Sequence, residues 1–165
     1  MIKTMTSIIS FDERDELEAW ITRDWQWAMG GVRPPHGWRP SQKWKTPPPL
    51  FDAVGERVRI WLGIDEWQPE PRFGWTANYQ PTLTWVTEHC DPEIAGFIHL
   101  RANVLVTRPP SGGMPIVGGR KLSLMQRDAW ALNTAVLHSS TRSVGGPRLL
   151  CSYGFLVPSS SPAVL

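Results

Sequence analysis

The sequence predicts a mainly β protein with N-terminal helices, closing into a barrel or a two-sheet jelly roll. Three observations lead there. From about residue 73 onward, short runs rich in Val, Ile, Thr, Leu and Trp alternate with Gly, Pro or Asp clusters. Before that point, two segments place their apolar residues at helical spacing. The chain of 165 residues is long enough to bury one core without disulfides or structural metal, and short for two domains. A single domain over 1–165 is expected, with helical and loop support over 1–72, a jelly-roll core over 73–157 and a tail over 158–165.

The first helix is predicted over 11–29, where acidic residues open the segment, Leu17, Trp20, Ile21 and Trp25 form one stripe, and Gly30-Gly31 ends it. Residues 31–49, "GVRPPHGWRPSQKWKTPPP", deny both helix and central strand, and read as an extended arm carrying Arg33, Arg39, Lys43 and Lys45. Leu50, Val54, Val58 and Trp61 then mark a second helix in "LFDAVGERVRIWLGI". Strands follow near 74–79, 83–88, 97–107, 114–117, 121–125, 128–132, 135–140 and 148–157, a spacing that suits a barrel or jelly roll.

Composition narrows the function without naming it. A net charge of +2 gives no concentrated basic excess of the kind that marks nucleic-acid binders. No run approaches the apolar length of a membrane span, and Cys90 and Cys151 are too few for a disulfide framework. "MIKTMTSIISFDERDE" has no apolar targeting core, so a soluble, cytoplasmic protein is expected. Ten tryptophans are unusual for this length, and most are expected in core packing.

The chemistry centres on "TEHCDPEIAGFIHLRANVLV", residues 87–106. On an extended chain, alternate side chains share a face, so His89 and Asp91 point together and Cys90 points away. That spacing alone is a weak motif. A third donor, His138, ends an apolar run late in the strand region. Two histidines and one carboxylate leave three positions free, which suits an Fe(II) that must take a chelating co-substrate and dioxygen. Zinc with the same ligands and a water is the competing metal. Arg148 opens the last strand, where a bidentate fork can grip a carboxylate.

The ordered stretches "NYQPTLTWVTEHCD", "HLRANVLVTRPPSGGMPIVGGRKLSL", "RDAWAL" and "LHSSTRSVGGPRLLCSYGF" resemble the catalytic core of the Fe(II)/2-oxoglutarate-dependent oxygenases. The resemblance covers about residues 74–157 and does not reach the first 70. It implies a double-stranded β-helix, a jelly-roll or cupin-like barrel, with His89, Asp91 and His138 as iron ligands and Arg148 on the distal carboxylate of 2-oxoglutarate. Asn78 and Tyr79 match an Asn and an aromatic position that contact the co-substrate in some branches. Two departures stand out. Leu150 occupies the place of a serine often found two residues after the arginine, and Ser152 on the same face is offered in its stead. Arg101 and Asn103 share a face of the following strand, so Arg101 is an alternative to Arg148 for the carboxylate. Asp91 argues against a halogenase, which gives up this carboxylate for chloride.

What the resemblance implies chemically is oxidative decarboxylation of 2-oxoglutarate by O2 to succinate and CO2, coupled to hydroxylation of a substrate C–H bond. An amino-acid-like or peptidyl substrate is favoured. The arm "RPPHGWRPSQKWK" keeps a nucleic-acid alkyl-base demethylase open, since Trp38 and Trp44 can stack on bases beside four cations. A metal-binding barrel without turnover is the third reading.

Overall fold

The computed structural model describes residues 2–28, 41–42, 47–71 and 74–161. The elements run β1 (Ile2–Met5), α1 (Phe11–Ala28), β2 (Ser41–Gln42), α2 (Pro49–Leu62), β3 (Gln68–Pro69), β4 (Trp75–Gln80), β5 (Phe97–Thr107) and β6 (Ser111–Gly112). There follow β7 (Pro115–Val117), β8 (Arg120–Lys121), β9 (Ala129–Asn133), β10 (His138–Ser140), β11 (Ser143–Val144) and β12 (Arg148–Pro158). The cationic arm with Arg33, His36, Trp38, Arg39, Lys43, Trp44 and Lys45 lies outside the described residues, as does the end of the tail.

A large antiparallel sheet carries the order β1-β9-β5-β12-β4-β2, with β3 on a further stretch of β12; β10-β7-β8 and β11-β6 form two smaller sheets. This is the jelly-roll arrangement the strand spacing predicts. The period-2 alternation of the long strands gives the large sheet two buried faces. Leu100, Ala102, Val104 and Val106 of β5 join Leu149, Cys151, Tyr153 and Phe155 of β12 in one core, which also holds Leu17, Trp20 and Ile21 of α1 and Val54 and Val58 of α2. The opposite face supplies Leu105, Trp130, Leu132 and Leu150 to a second cluster shared with Val117, Leu122 and Leu124. Arg101, Asn103, Arg148 and Ser152 are buried on this inner face.

Local chemistry fixes both helices. Ser10 and Glu13 form a reciprocal capping box: Ser10 N–H donates to Glu13 Oε2 at 2.7 Å, and Glu13 N–H donates to Ser10 Oγ at 3.1 Å. Arg57 of α2 then forks onto both Glu13 oxygens at 2.9 and 2.7 Å, clamping the helices together. In α2, Pro49 suits the first turn, and Gly63, at φ 71°, ends the helix in the left-handed conformation. Gly55 clears the way for Trp75, whose ring lies 2.4 Å from where a Cβ would stand.

Four expectations are corrected. Residues 2–5, unassigned in the sequence, form an edge strand on β9. The run 83–88 is not a strand: it lies along 138–143, but Ser140 Oγ takes the Val86 N–H at 2.9 Å where a regular ladder would present a carbonyl. The predicted strand over 121–125 reduces to Arg120–Lys121. The predicted strand over 135–140 shortens to 138–140, because Asn133 closes a turn by accepting the Ala135 N–H at 3.0 Å.

Candidate metal centre

His89 stands at an isolated bridge. Its N–H donates to His138 O at 3.0 Å, and the His138 N–H donates back to His89 O at 2.9 Å. Two residues on, Asp91 N–H donates to Thr134 O at 3.0 Å. Main-chain pairing, rather than membership of a long strand, therefore sets all three side chains on one side. One donor atom from each of His89, Asp91 and His138 lies within 4.8 Å of the others, and His89 Nε2 is 3.6 Å from Asp91 Oδ1.

The tautomers are set as well. His89 Nδ1 is 2.7 Å from Thr87 O, and His138 Nδ1 is 2.8 Å from Val136 O. A carbonyl only accepts, so each Nδ1 is the donor, which leaves each Nε2 as the nitrogen free to face the cluster. Two imidazoles oriented by carbonyls, with one carboxylate, form a donor set that fits a divalent transition metal.

One cleft is lined by His138, Arg148 and Arg101 together with Asn103, Val117, Trp130 and Leu132. Arg148 is 2% exposed; its Nη1 donates to Gln80 Oε1 at 3.1 Å, and its guanidinium lies 5.4 Å from the Trp130 ring centre. The Oδ1 atoms of Asn78 and Asn103, both on the inner face, are buried with no hydrogen-bond partner among the described residues. Such atoms are costly without a ligand or water. The cleft thus combines two arginines, the orphaned Asn103 amide oxygen and an apolar wall.

Arg101 stands differently. Its Nη2 donates to Glu70 Oε2 at 3.0 Å, its Nη1 to Ser152 Oγ at 3.4 Å, and its Nε is 3.9 Å from Asp91 Oδ2. Tyr79 is a correction: pairing opposite Leu149, it packs on the helix side of the sheet, so it faces away from Asn78 and the cleft. Its neighbour parity carried that signal. Cys90, between the two ligand candidates, is exposed. His99 is 7% exposed with neither ring nitrogen hydrogen-bonded among the described residues; burial, then the Arg101 charge, depress its pKa and favour neutral imidazole. Glu70 was not singled out by sequence reasoning, because it belongs to no motif and lies far in sequence from Arg101.

No family model matches the chain, and no curated protein matches it by sequence. Solved structures do match in shape. A viral collagen prolyl hydroxylase from Paramecium Bursaria Chlorella virus-1, in complex with 2-oxoglutarate, superimposes with a TM-score of 0.69 at 12% identity over 94% of this chain and 95% of that one. A prolyl hydroxylase from Trichoplax adhaerens bound to a hypoxia inducible factor peptide gives 0.72 at 8% identity over 98% and 87%. The chain has the fold of the Fe(II)/2-oxoglutarate-dependent oxygenases. HygX from Streptomyces hygroscopicus, solved with nickel and 2-oxoglutarate, adds a TM-score of 0.67 at 13% identity, over 96% of this chain and 83% of that one. This oxygenase fold accounts for the helices backing the large sheet and for the cleft; no helix among the described residues is long and apolar enough to cross a membrane.

Proposed function

We propose that the protein is an Fe(II)- and 2-oxoglutarate-dependent dioxygenase that hydroxylates a C–H bond of a small amino-acid-like or peptidyl substrate, releasing succinate and CO2. The observation that carries this reading is the clustering of His89, Asp91 and His138, with His138 lining a cleft that Arg148 also lines. The peptide-acting and collagen-acting neighbours support the substrate class.

In this reading the two Nε2 atoms and an Asp91 oxygen hold the iron. The bound metal and co-substrate supply the oxidising chemistry by activating O2. The chain's own work is to bind, orient and exclude water. Arg148, braced by neutral Gln80 and Trp130, grips the distal carboxylate of 2-oxoglutarate, with the Asn78 and Asn103 amides beside it. Arg101 is poorly placed for that task, since its fork already faces Glu70 and Asp91. Ser152 hydroxyl serves Arg101, so its role in place of the missing serine is indirect. Trp130, Leu132 and Val117 keep the cleft apolar, which protects a reactive centre from water.

The test is Fe(II)- and O2-dependent conversion of 2-oxoglutarate to succinate by purified protein, with Asp91→Ala as control. Succinate formed by the wild type and not by the variant is expected; equal turnover in both would remove Asp91 from its role, and no conversion by either would refute the assigned reaction.

A further inference from the structure

One buried ion pair has no part in the steps above. Glu70 is 3% exposed, and its Oε2 accepts from Arg101 Nη2 at 3.0 Å and from Gly74 N–H at 2.9 Å. The site is built to take this pair. Gly154 faces Arg101 across the sheet, and a Cβ there would stand 3.0 Å from Glu70 Cβ and 3.2 Å from Arg101 Nη2. Gly154 N–H also donates to Gly74 O at 3.0 Å, tying the Glu70 turn to the strand. The same guanidinium also faces a metal ligand: Arg101 Nε is 3.9 Å from Asp91 Oδ2, while Asp91 Oδ1 faces His89.

We propose that Glu70 is a positioning residue that holds Arg101 back from Asp91 and so keeps that carboxylate available to the metal. The inference rests on the metal reading above. At 3.9 Å the Arg101 charge orients the outer Asp91 oxygen without a hydrogen bond. A guanidinium released from Glu70 closes onto Asp91, since a charge-assisted pair settles near about 2.7–2.9 Å. A carboxylate so committed competes poorly for a dication. Glu70 also cancels the Arg101 charge locally, so the dication meets the Asp91 charge undiminished.

Mn(II), which needs no reducing conditions, tests this by equilibrium titration of purified full-length protein, with Tm measured for each variant. Glu70→Gln is expected to weaken Mn(II) uptake about tenfold or more, the range seen when groups supporting a ligand are removed. Glu70→Gln combined with Arg101→Gln is expected to restore uptake to within about threefold of wild type, because the competing cation is gone. A double variant as weak as the single one, or a Glu70→Gln protein that binds as wild type does, would overturn the proposal. Should Glu70→Gln not fold, Arg101→Gln alone decides: uptake at least as tight as wild type supports the proposal, and weaker uptake overturns it. Wild-type protein that takes up no Mn(II), or does so equally in Asp91→Ala, overturns the metal reading itself, and this inference with it.

Discussion

His89 and His138 exchange both main-chain hydrogen bonds, at 3.0 and 2.9 Å, and their rings lie 4.3 Å apart. The two imidazoles are therefore held by backbone that does not depend on the metal. His138→Ala is expected to leave Tm nearly unchanged and to lower Fe(II) or Mn(II) affinity by tenfold or more, about 1.4 kcal/mol of binding energy or above. Calorimetry and metal titration on the same sample check both halves.

Arg148→Lys keeps a buried cation beside Gln80 and Trp130 but loses the planar fork. The expected outcome is a 2-oxoglutarate requirement raised about ten- to hundredfold, the worth of one charged hydrogen bond, with metal uptake unaltered. Co-substrate titration of succinate release measures it.

Trp75 occupies the space that a side chain at position 55 would fill, with ring carbons 2.4 to 2.8 Å from an ideal Cβ. Gly55→Ala is therefore expected to destabilise, although alanine favours helix by about 1 kcal/mol, because overpacking a filled core costs about 1–3 kcal/mol. Chemical denaturation of the variant against wild type gives the sign.

Acid stability follows from Glu13. The Arg57 fork, chiefly, holds its carboxyl down at about 2 from an ordinary 4.5, with burial opposing and the Ser10 N–H assisting. A depressed folded pKa means a contribution present above about pH 4.5 and lost as pH falls toward 2. The Tm gap between wild type and Glu13→Gln should be fullest near neutrality and close toward pH 2. A gap that widens in acid would contradict the clamp.

The two thiols differ in reach. Cys90 is exposed, whereas Cys151 is enclosed in the helix-side core, where burial pushes its thiol up to about 12. Iodoacetamide should modify one cysteine in the folded protein, read by mass spectrometry as Cys90, and both after denaturation.

Much of this architecture is legible in the sequence because it rests on periodicity. The long strands at 97–107 and 148–158 alternate cleanly, and that alternation places Arg101, Asn103, Arg148 and Ser152 together on the inner face. The same rule assigns Tyr79 to the other face from Asn78, so an expectation taken from the resemblance yields to strand parity. What could not be read depends on contacts distant in sequence. Ile2–Met5 is a strand only because β9 offers it an edge, and the His89 bridge needs His138 opposite it. Glu70 is recognisable as more than a loop carboxylate only beside Arg101 and Gly154.

The most direct measurement is anaerobic addition of Fe(II) and 2-oxoglutarate to the purified protein, followed by visible absorption, with Asp91→Ala alongside. A weak charge-transfer band that requires both additions and disappears in the variant is the predicted result, since it reports a keto acid chelated to iron at this triad. Folded wild-type protein that shows no band, or a variant that shows the same one, would contradict the assignment of His89, Asp91 and His138 as the metal centre.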